Sequence, residues 1–389
     1  MDMIDTLRAA FHQQFGDQEE LRYFFAPGRV NLIGEHTDYN GGHVFPCALT
    51  LGTYAAGAKR TDGRVRMYSL NFKEEGVKEF NLFEIAYVES DGWANYPKGV
   101  FNQFIEAGMD IKEGFDIVYG GNIPNGAGLS SSASIELVTA VLINEWLSFG
   151  VSHVDLALLA QRAENEFIGV NCGIMDQFSI SLGKEGHAIL LNCDTLSFEY
   201  SPFRQEGLAL VIANTNKKRT LADSKYNERR FECQSALNDL RKEIDIAHLC
   251  ELTSDEFAKY AHLIQDETCR KRATHAVTEN ERTMKAVKFL KDDKMKELGV
   301  LMKASHLSLK NDYEVTGLEL DALAEAAWHH PGTIGSRMTG AGFGGCTVSI
   351  VKEELVDSFI EETGAMYEEK TGIQASFYTA GIGGGAREL

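Results

Sequence analysis

The chain has 389 residues and a formal net charge of −19 at pH 7, and at about 150 residues per domain its length suggests two domains or one large one. Such an acidic chain is a poor candidate for broad binding to nucleic acids or anionic membranes, because both require a basic surface. The net charge does not exclude a small-molecule ligand. An N-terminus that is acidic where a signal peptide is basic, and the lack of an apolar run of about 18 to 20 residues, predict a cytoplasmic protein without a membrane span.

The first half of the chain alternates predicted strands with predicted helices. RYFFAP, RVNLIG and GFDIVYGG have the composition of strands, and SIELVTAVLINEWLSFG has that of a helix ended by Gly150. The next segment predicts a helix capped by Ser152 and stopped by Gly169, because apolar residues recur there at helical spacing: Leu156, Leu159, Ala160, Ala163 and Phe167. HAILLNC then returns as a strand.

The second half of the chain differs in composition. Residues 208–298 contain no glycine or proline, and after one strand, LALVIAN, they are charged and favour helices. A glycine-rich loop, GSRMTGAGFGG, leads to a strand (CTVSIV), a helix near residues 353–370 and a strand (ASFYTAG). We therefore predict two α+β domains, residues 1–200 and 201–389, with the functional site in the cleft between them. Seven cysteines without C-x-x-C pairs predict reduced thiols and no structural metal.

The stretch RVNLIGEHTDYNGG, residues 29–42, crowds polar side chains into one bend. Glu35, His36 and Asp38 precede the turn pair Asn40 and Gly41. An Asn-Gly pair tolerates the positive φ of a tight turn, but such a turn does not require three polar residues just before it. The surplus polar groups therefore need another explanation.

Glycines and serines are concentrated in PNGAGLSSSASIELV, residues 124–138, at the start of a predicted helix. Gly126 and Gly128 let an anion approach the backbone, and Ser130, Ser131 and Ser132 add donors to the free N–H groups of the helix end. This pattern predicts a phosphate cradle, although serine capping after a glycine turn is the simpler alternative. No lysine follows, so a Walker-type loop is disfavoured.

Three further features leave alternatives open. MTGAGFGGCTV, residues 338–348, fits either a turn rich in bulges or a backbone approached closely by another group. GIGGGA near the C-terminus fits a dinucleotide fingerprint, but too few residues remain for the helix that should follow. Glu164 and Asp176 are either ordinary surface acids or helix caps or, if phosphates bind nearby, a Mg²⁺ ligand and an acceptor for a substrate proton.

Taken together, the three motifs resemble those of the galactokinases, members of the GHMP family of small-molecule kinases, over nearly the whole chain. GRVNLIGEHTDYNGG is similar to the galactokinase signature, PNGAGLSSSAS to the GHMP phosphate loop and GAGFGG to the third GHMP motif. The first motif is the one specific to the sugar. The resemblance implies a two-domain GHMP kinase fold of the α+β class and an ATP- and Mg²⁺-dependent phosphorylation of the C1 hydroxyl of galactose.

The resemblance also implies a role for each motif residue. Asp176 would accept the proton, Arg29 would be its electrostatic partner, and Ser132 with Glu164 would hold Mg²⁺. The residues implied in sugar binding are Glu35, His36, Thr37, Asp38 and Tyr226. The residues implied in ATP binding are Ser69, Gly126, Ala127, Gly128, Leu129, Ser130, Ser131 and Ser132.

Two alternatives to a galactose kinase remain. N-acetylgalactosamine or another sugar could be the substrate, since the sequence does not give the space near C2. Some galactokinase-like proteins of yeasts are galactose sensors without catalysis, and they resemble kinases with a defective phosphate loop. The intact SSSAS run favours an enzyme, which we expect to be a monomer with only small-molecule partners.

Overall fold

The structure is a computed structural model that describes residues 2–124, 128–203, 206–217 and 222–389. Within these ranges the helices are α1 Met3–Phe15, α2 Asn95–Glu106, α3 Ser131–Leu147, α4 His153–Arg162, α5 Met175–Leu182, α6 Ala222–Leu240, α7 Ser254–Tyr260, α8 Glu267–Lys291, α9 Met295–Ser308, α10 Gly317–His329 and α11 Val356–Thr371. None of these helices has the length and apolarity that crossing a membrane requires.

The strands of the same ranges form three sheets. They are β1 Arg22–Asn31, β2 His43–Val44, β3 Pro46–Arg60, β4 Arg64–Ser69, β5 Lys78–Asn81, β6 Gly114–Gly121, β7 His187–Asn192, β8 Phe198–Pro202, β9 Leu208–Asn214, β10 Thr333–Thr339, β11 Cys346–Lys352, β12 Ser376–Ala380 and β13 Arg387–Glu388. The sheet orders are β13-β1-β3-β6-β4-β5, β10-β11-β9-β12 and β2-β7-β8. Pairing is antiparallel except between β4 and β6. The predicted α+β class is confirmed.

Helix α3 is the central element behind the site. Apolar side chains are spread around most of its circumference, and 12 of its 17 residues are buried, which is the pattern of a helix covered by neighbouring elements. It packs on β1 and β3 and against α2, α4 and α5, and its side chains join one large core with those of the first sheet. The serine-rich N-terminus of α3 is therefore held on a rigid support.

Most predicted elements are present, with three differences in detail. Helix α3 ends at Leu147, where Ser148 takes the αL conformation, and not at Gly150 as predicted. RYFFAP and RVNLIG, predicted as two strands, are one strand, β1, whose pairing with β3 shifts register between Pro27 and Arg29. The helix capped by Ser152 continues past α4 as a π-helical segment, Ala163–Ile168, before Gly169 ends it with a φ of +88°. The Ser152 cap is confirmed, since its hydroxyl accepts the N–H of Asp155.

The predicted division into residues 1–200 and 201–389 stays a prediction. The first sheet takes five of its strands from residues 22–121, and the four-stranded sheet takes its strands from residues 208–214 and 333–380. The last strand, β13, crosses the proposed boundary by pairing with β1, with Phe24 opposite Glu388. The two halves are thus joined through the sheet as well as through the chain.

Candidate active site

The bend that follows β1 is held from behind by other parts of the chain. Oε1 of the Glu35 side chain accepts the N–H of Gly340 at 2.7 Å and a longer bond from Arg337 at 3.4 Å. From α8, His275 donates to the backbone carbonyl of Glu35 at 3.0 Å, and Glu279 accepts the N–H of Gly34 at 2.9 Å. The first motif therefore has a fixed position relative to the third motif and to α8.

All three motifs meet around one cavity of about 430 Å³. Its lining includes carboxylates, hydroxyls and one guanidinium, with few large apolar side chains. The residues that line it are Arg29, Glu35, His36, Asp38, Gly128, Ser130, Ser131, Ser132, Glu164, Gly169, Val170, Cys172, Gly173, Met175, Asp176, Tyr226, Asn227, Gly340 and Ala341. A wall of this kind suits a ligand with many hydroxyl groups.

Asp176 is held by donors from two other elements. Nε and Nη2 of Arg29 donate to its two carboxylate oxygens at 2.8 Å each, and the Ser130 hydroxyl donates to Oδ2 at 2.5 Å. Asp176 lies in the first turn of α5, but the residue at the cap position is Ile174. The alternative that Asp176 is only a helix cap is therefore wrong.

Arg29 itself is fixed by the second motif. Its Nη1 donates to the carbonyl of Gly128 at 2.8 Å, and its backbone N–H donates to the carbonyl of Leu129. A Cβ on Gly340 would lie 3.2 Å from the same Gly128 carbonyl, and Gly340 has a φ of +88°. The third motif is thus a close approach of two backbones, one of the two alternatives left open by the sequence.

Ser132 and Glu164 form a pair of hard oxygen donors on the same wall. The Ser132 hydroxyl and the Glu164 carboxylate line the same cavity, and Glu164 is buried in the π-helical segment after α4. Burial, and then the negative charge of Asp176, raise the pKa of Glu164 to about 7. Mg²⁺ is usually held by one or two carboxylates together with substrate phosphates, so these donors fit that ion.

Asp38 depends on a glycine opposite it. A Cβ on Gly173 would lie 1.8 Å from Oδ2 of Asp38, so a side chain there would displace the carboxylate. Burial, followed by the charges of Asp176 and Glu35, raises the pKa of Asp38 to about 7. Tyr226 closes this side of the cavity, with its ring 5.7 Å from that of His36.

Not all residues implied by the resemblance present a free group to the cavity. His36 donates from Nε2 to the carbonyl of Ala341 at 3.2 Å, so its Nδ1 accepts from the hydroxyl of Tyr39 at 2.7 Å. Burial lowers the pKa of His36 to about 3, which keeps the ring neutral. Thr37 is fully buried, and its hydroxyl lies 2.7 Å from the carbonyl of His43. Leu129 packs its side chain into the core.

A second, smaller cavity of about 190 Å³ adjoins the first and shares Ser131 and Ser132 with it. Ser69, predicted to contact ATP, lines this cavity, while Gly126 and Ala127 lie outside the described residues. Sequence reasoning missed the rest of its wall, which is mainly aromatic and apolar: Thr53, Asn71, Phe72, Trp93, Tyr96, Tyr119, Gly121, Ile123 and Ile135. The aromatic run around Trp93 and Tyr96 is the signal that could have indicated it.

Comparison with known proteins decides the family. The galactokinase galactose-binding signature matches residues 9–59, the GHMP kinases N-terminal domain matches residues 95–184, and the GHMP kinases C-terminal model matches residues 286–369. The galactokinase of Bacillus subtilis (strain 168) is 62% identical over 387 residues, which cover 100% of this chain and 99% of the relative. The chain belongs to the galactokinase family.

Other galactokinases are also similar to this chain over its full length. The galactokinase of Fusobacterium nucleatum is 58% identical over 388 residues, covering 100% of both chains. The crystal structure of Lactococcus lactis galactokinase complexed with galactose is 47% identical, with a TM-score of 0.98 and 100% coverage of both chains. A mevalonate kinase from Methanococcus jannaschii, at 18% identity and a TM-score of 0.67, shares the fold, and the match covers 94% of this chain and 100% of the mevalonate kinase.

Proposed function

We propose that the chain is a galactokinase that transfers the γ-phosphoryl group of ATP to the C1 hydroxyl of galactose and releases ADP and galactose 1-phosphate. The observation that carries this proposal is the position of Asp176, whose carboxylate is held by Arg29 and Ser130 at the point where the three motifs line one cavity. The galactose bound to the Lactococcus lactis relative supports the same substrate.

The sugar would bind between the first motif and Tyr226. Glu35 and Asp38 line the cavity with carboxylate oxygens that can accept hydroxyl protons, and Tyr226 adds a ring and a phenol. His36, with both ring nitrogens occupied, would hold this wall in place through Tyr39. Buried groups that each need a hydroxyl partner discriminate strongly against sugars that lack that hydroxyl.

In the reaction, the oxygen of the C1 hydroxyl would form a bond to the γ-phosphorus while the bond from that phosphorus to the bridging oxygen of ADP breaks. Asp176 would take the hydroxyl proton, and Arg29, 5% exposed, would stabilise both this carboxylate and the charge on the phosphoryl group. Ser130 would keep the carboxylate turned toward the sugar.

ATP would span both cavities. The adenine would occupy the aromatic second cavity near Ser69, and the phosphates would reach the N-terminus of α3, where Ser131 and Ser132 line both spaces. Mg²⁺, when held by Ser132 and Glu164, would neutralise phosphate charge. A monomeric state and a cytoplasmic location, inferred from the sequence, remain predictions.

An assay of ADP release with a panel of sugars tests the proposed function. We expect release with galactose, and phosphorus NMR should show a product phosphate on C1. Faster release with N-acetylgalactosamine would favour the alternative substrate. Calorimetric binding of galactose and ATP without ADP release would favour a sensor instead.

A further inference from the structure

Glu136 is a fully buried carboxyl group that the proposed reaction does not use. It lies on α3, four residues after Ser132, so the two side chains share one face of the helix. Among the described residues, no lysine, arginine or histidine forms an ion pair with it. Its hydrogen-bond partner is Gln177, whose Nε2 lies 3.2 Å from Oε2 of Glu136.

Gln177 connects this buried acid to the proposed metal ligand. The same Nε2 donates to Oε2 of Glu164 at 2.6 Å, and Gln177 is itself fully buried. It is also the residue after Asp176 on α5. One amide therefore contacts the proposed metal ligand and belongs to the residue that follows the proposed base in sequence.

The unpaired atoms of this group indicate its protonation state. Oε1 of Glu136 and Oε1 of Gln177 are both buried without a hydrogen-bond partner in the described residues. A carboxylate brings no hydrogen-bond donor to this group, whereas a carboxylic acid brings one. A proton on Glu136 would therefore add a donor where two acceptors are unmatched, and a buried carboxylate without a cation would be very costly.

Two electrostatic effects agree with a neutral Glu136. Burial raises the pKa of Glu136 well above its ordinary range, and the negative charge of Glu164 raises it further. Gln177 opposes both effects to a smaller extent.

We propose that Glu136 is a neutral carboxylic acid that acts through Gln177 to position Glu164, so that Glu136 and Gln177 are positioning residues for the metal. This inference rests on the proposed function, because it assigns Mg²⁺ to Glu164 and Ser132. Outer contacts of this kind orient metal ligands, and losing one typically costs about 10- to 100-fold in metal affinity.

Three variants of the full-length chain test the proposal. Glu136→Gln keeps a neutral hydrogen-bonding group of the same shape, Glu136→Leu removes it, and Glu145→Gln is the matched control at an exposed acid of the same helix. For each, we would measure the Mg²⁺ concentration for half-maximal rate, and by calorimetry the affinity for ADP with Mg²⁺ and with EDTA. Thermal unfolding without ligand reports on folding.

The expected result separates the two substitutions at Glu136. Glu136→Leu should raise the Mg²⁺ requirement and weaken Mg²⁺-dependent ADP binding by about 10- to 100-fold, while ADP binding in EDTA stays unchanged. Glu136→Gln and the control should change these values by less than about 10-fold. If Glu136→Leu does not fold, Gln177→Met, which removes the connecting amide, should give the same loss.

Two results would overturn the proposal. A folded Glu136→Leu with the original Mg²⁺ dependence would show that the contact positions nothing. A loss in Glu136→Gln as large as in Glu136→Leu would show that Glu136 is not neutral. The Glu164→Gln variant tests the proposed metal site independently of Glu136. If the Mg²⁺ dependence of Glu164→Gln is unaltered, the assignment of Mg²⁺ to Glu164 fails, and the inference about Glu136 fails with it.

Discussion

Asp176→Asn tests the proposed role of the carboxylate most directly. In the structure the carboxylate accepts from Nε and Nη2 of Arg29 and from the Ser130 hydroxyl. An asparagine keeps one acceptor oxygen. Whichever way the amide is turned, its NH₂ group faces an N–H of Arg29, so one of the two Arg29 bonds is lost.

The structure sets the size of each effect. A lost general base typically costs about 100- to 10,000-fold in rate, so turnover should fall by that factor. The lost bond to Arg29 should cost about 1 to 3 kcal/mol of unfolding free energy, less than for a fully buried pair, because the Asp176 side chain is 28% exposed. Galactose and ATP should still bind within about 10-fold of the original affinity, since no sugar or phosphate donor is removed.

Asp116→Asn is a matched control for the loss of an arginine pair. Asp116 is buried and accepts from Nε and Nη2 of Arg66 at 2.7 and 2.8 Å, outside the site. The Asp116→Asn variant should be less stable than the original chain and should keep its turnover. Turnover, ligand affinity and melting temperature would be measured on one preparation of each variant. An Asp176→Asn enzyme that keeps more than about a tenth of the original turnover would refute the role of Asp176 as the essential base.

Three other substitutions test neighbouring contacts. Asp38→Ala should weaken galactose binding about 10- to 150-fold in calorimetry with ATP binding unchanged, and equal losses for both ligands would contradict a sugar role. Ser130→Ala should lower kcat by roughly 10-fold or more with little change in KM for galactose, whereas an unchanged kcat would show that Ser130 does not position Asp176. Burial lowers the pKa of His275 to about 4, below the unfolded value of 6.5, so the unfolded chain binds the proton first and stability falls as the pH drops from about 6.5 to about 4. Denaturant unfolding of His275→Gln should show a smaller fall over this window, and an identical fall would contradict the assignment.

The positions of the three motifs could be predicted because each has a local physical cause. Glycines mark close backbone approach, serines mark a helix N-terminus, and a turn pair marks the bend after β1. The helix between Ser152 and Gly169 could also be predicted, because these two residues mark the ends of a segment with apolar residues at helical spacing. Each of these features depends on a stretch of about 15 consecutive residues, so it can be recognised from the sequence.

Contacts between distant residues could not be predicted in the same way. Ser130 looked like a phosphate donor, yet its αL backbone, with a φ of +62°, turns its hydroxyl to a carboxylate 46 residues away. His36 looked like a free sugar ligand, yet Tyr39 and Ala341 occupy its two nitrogens. The sequence also does not show that Gln177 lies against Glu136, since 41 residues separate them.

Three carboxyl groups of the cavity differ in how many hydrogen-bond donors and positive charges already lie beside them. Both oxygens of Asp176 already accept bonds from Arg29, whereas burial and like charge raise the pKa of Asp38 and of Glu164 to about 7. Sugar hydroxyls would supply donors to Asp38, and a cation would supply positive charge to Glu164. The sugar would therefore stabilise the negative charge of Asp38, and the metal would stabilise that of Glu164. A chain of net charge −19 can thus bind an anionic nucleotide, because the nucleotide arrives together with a metal cation.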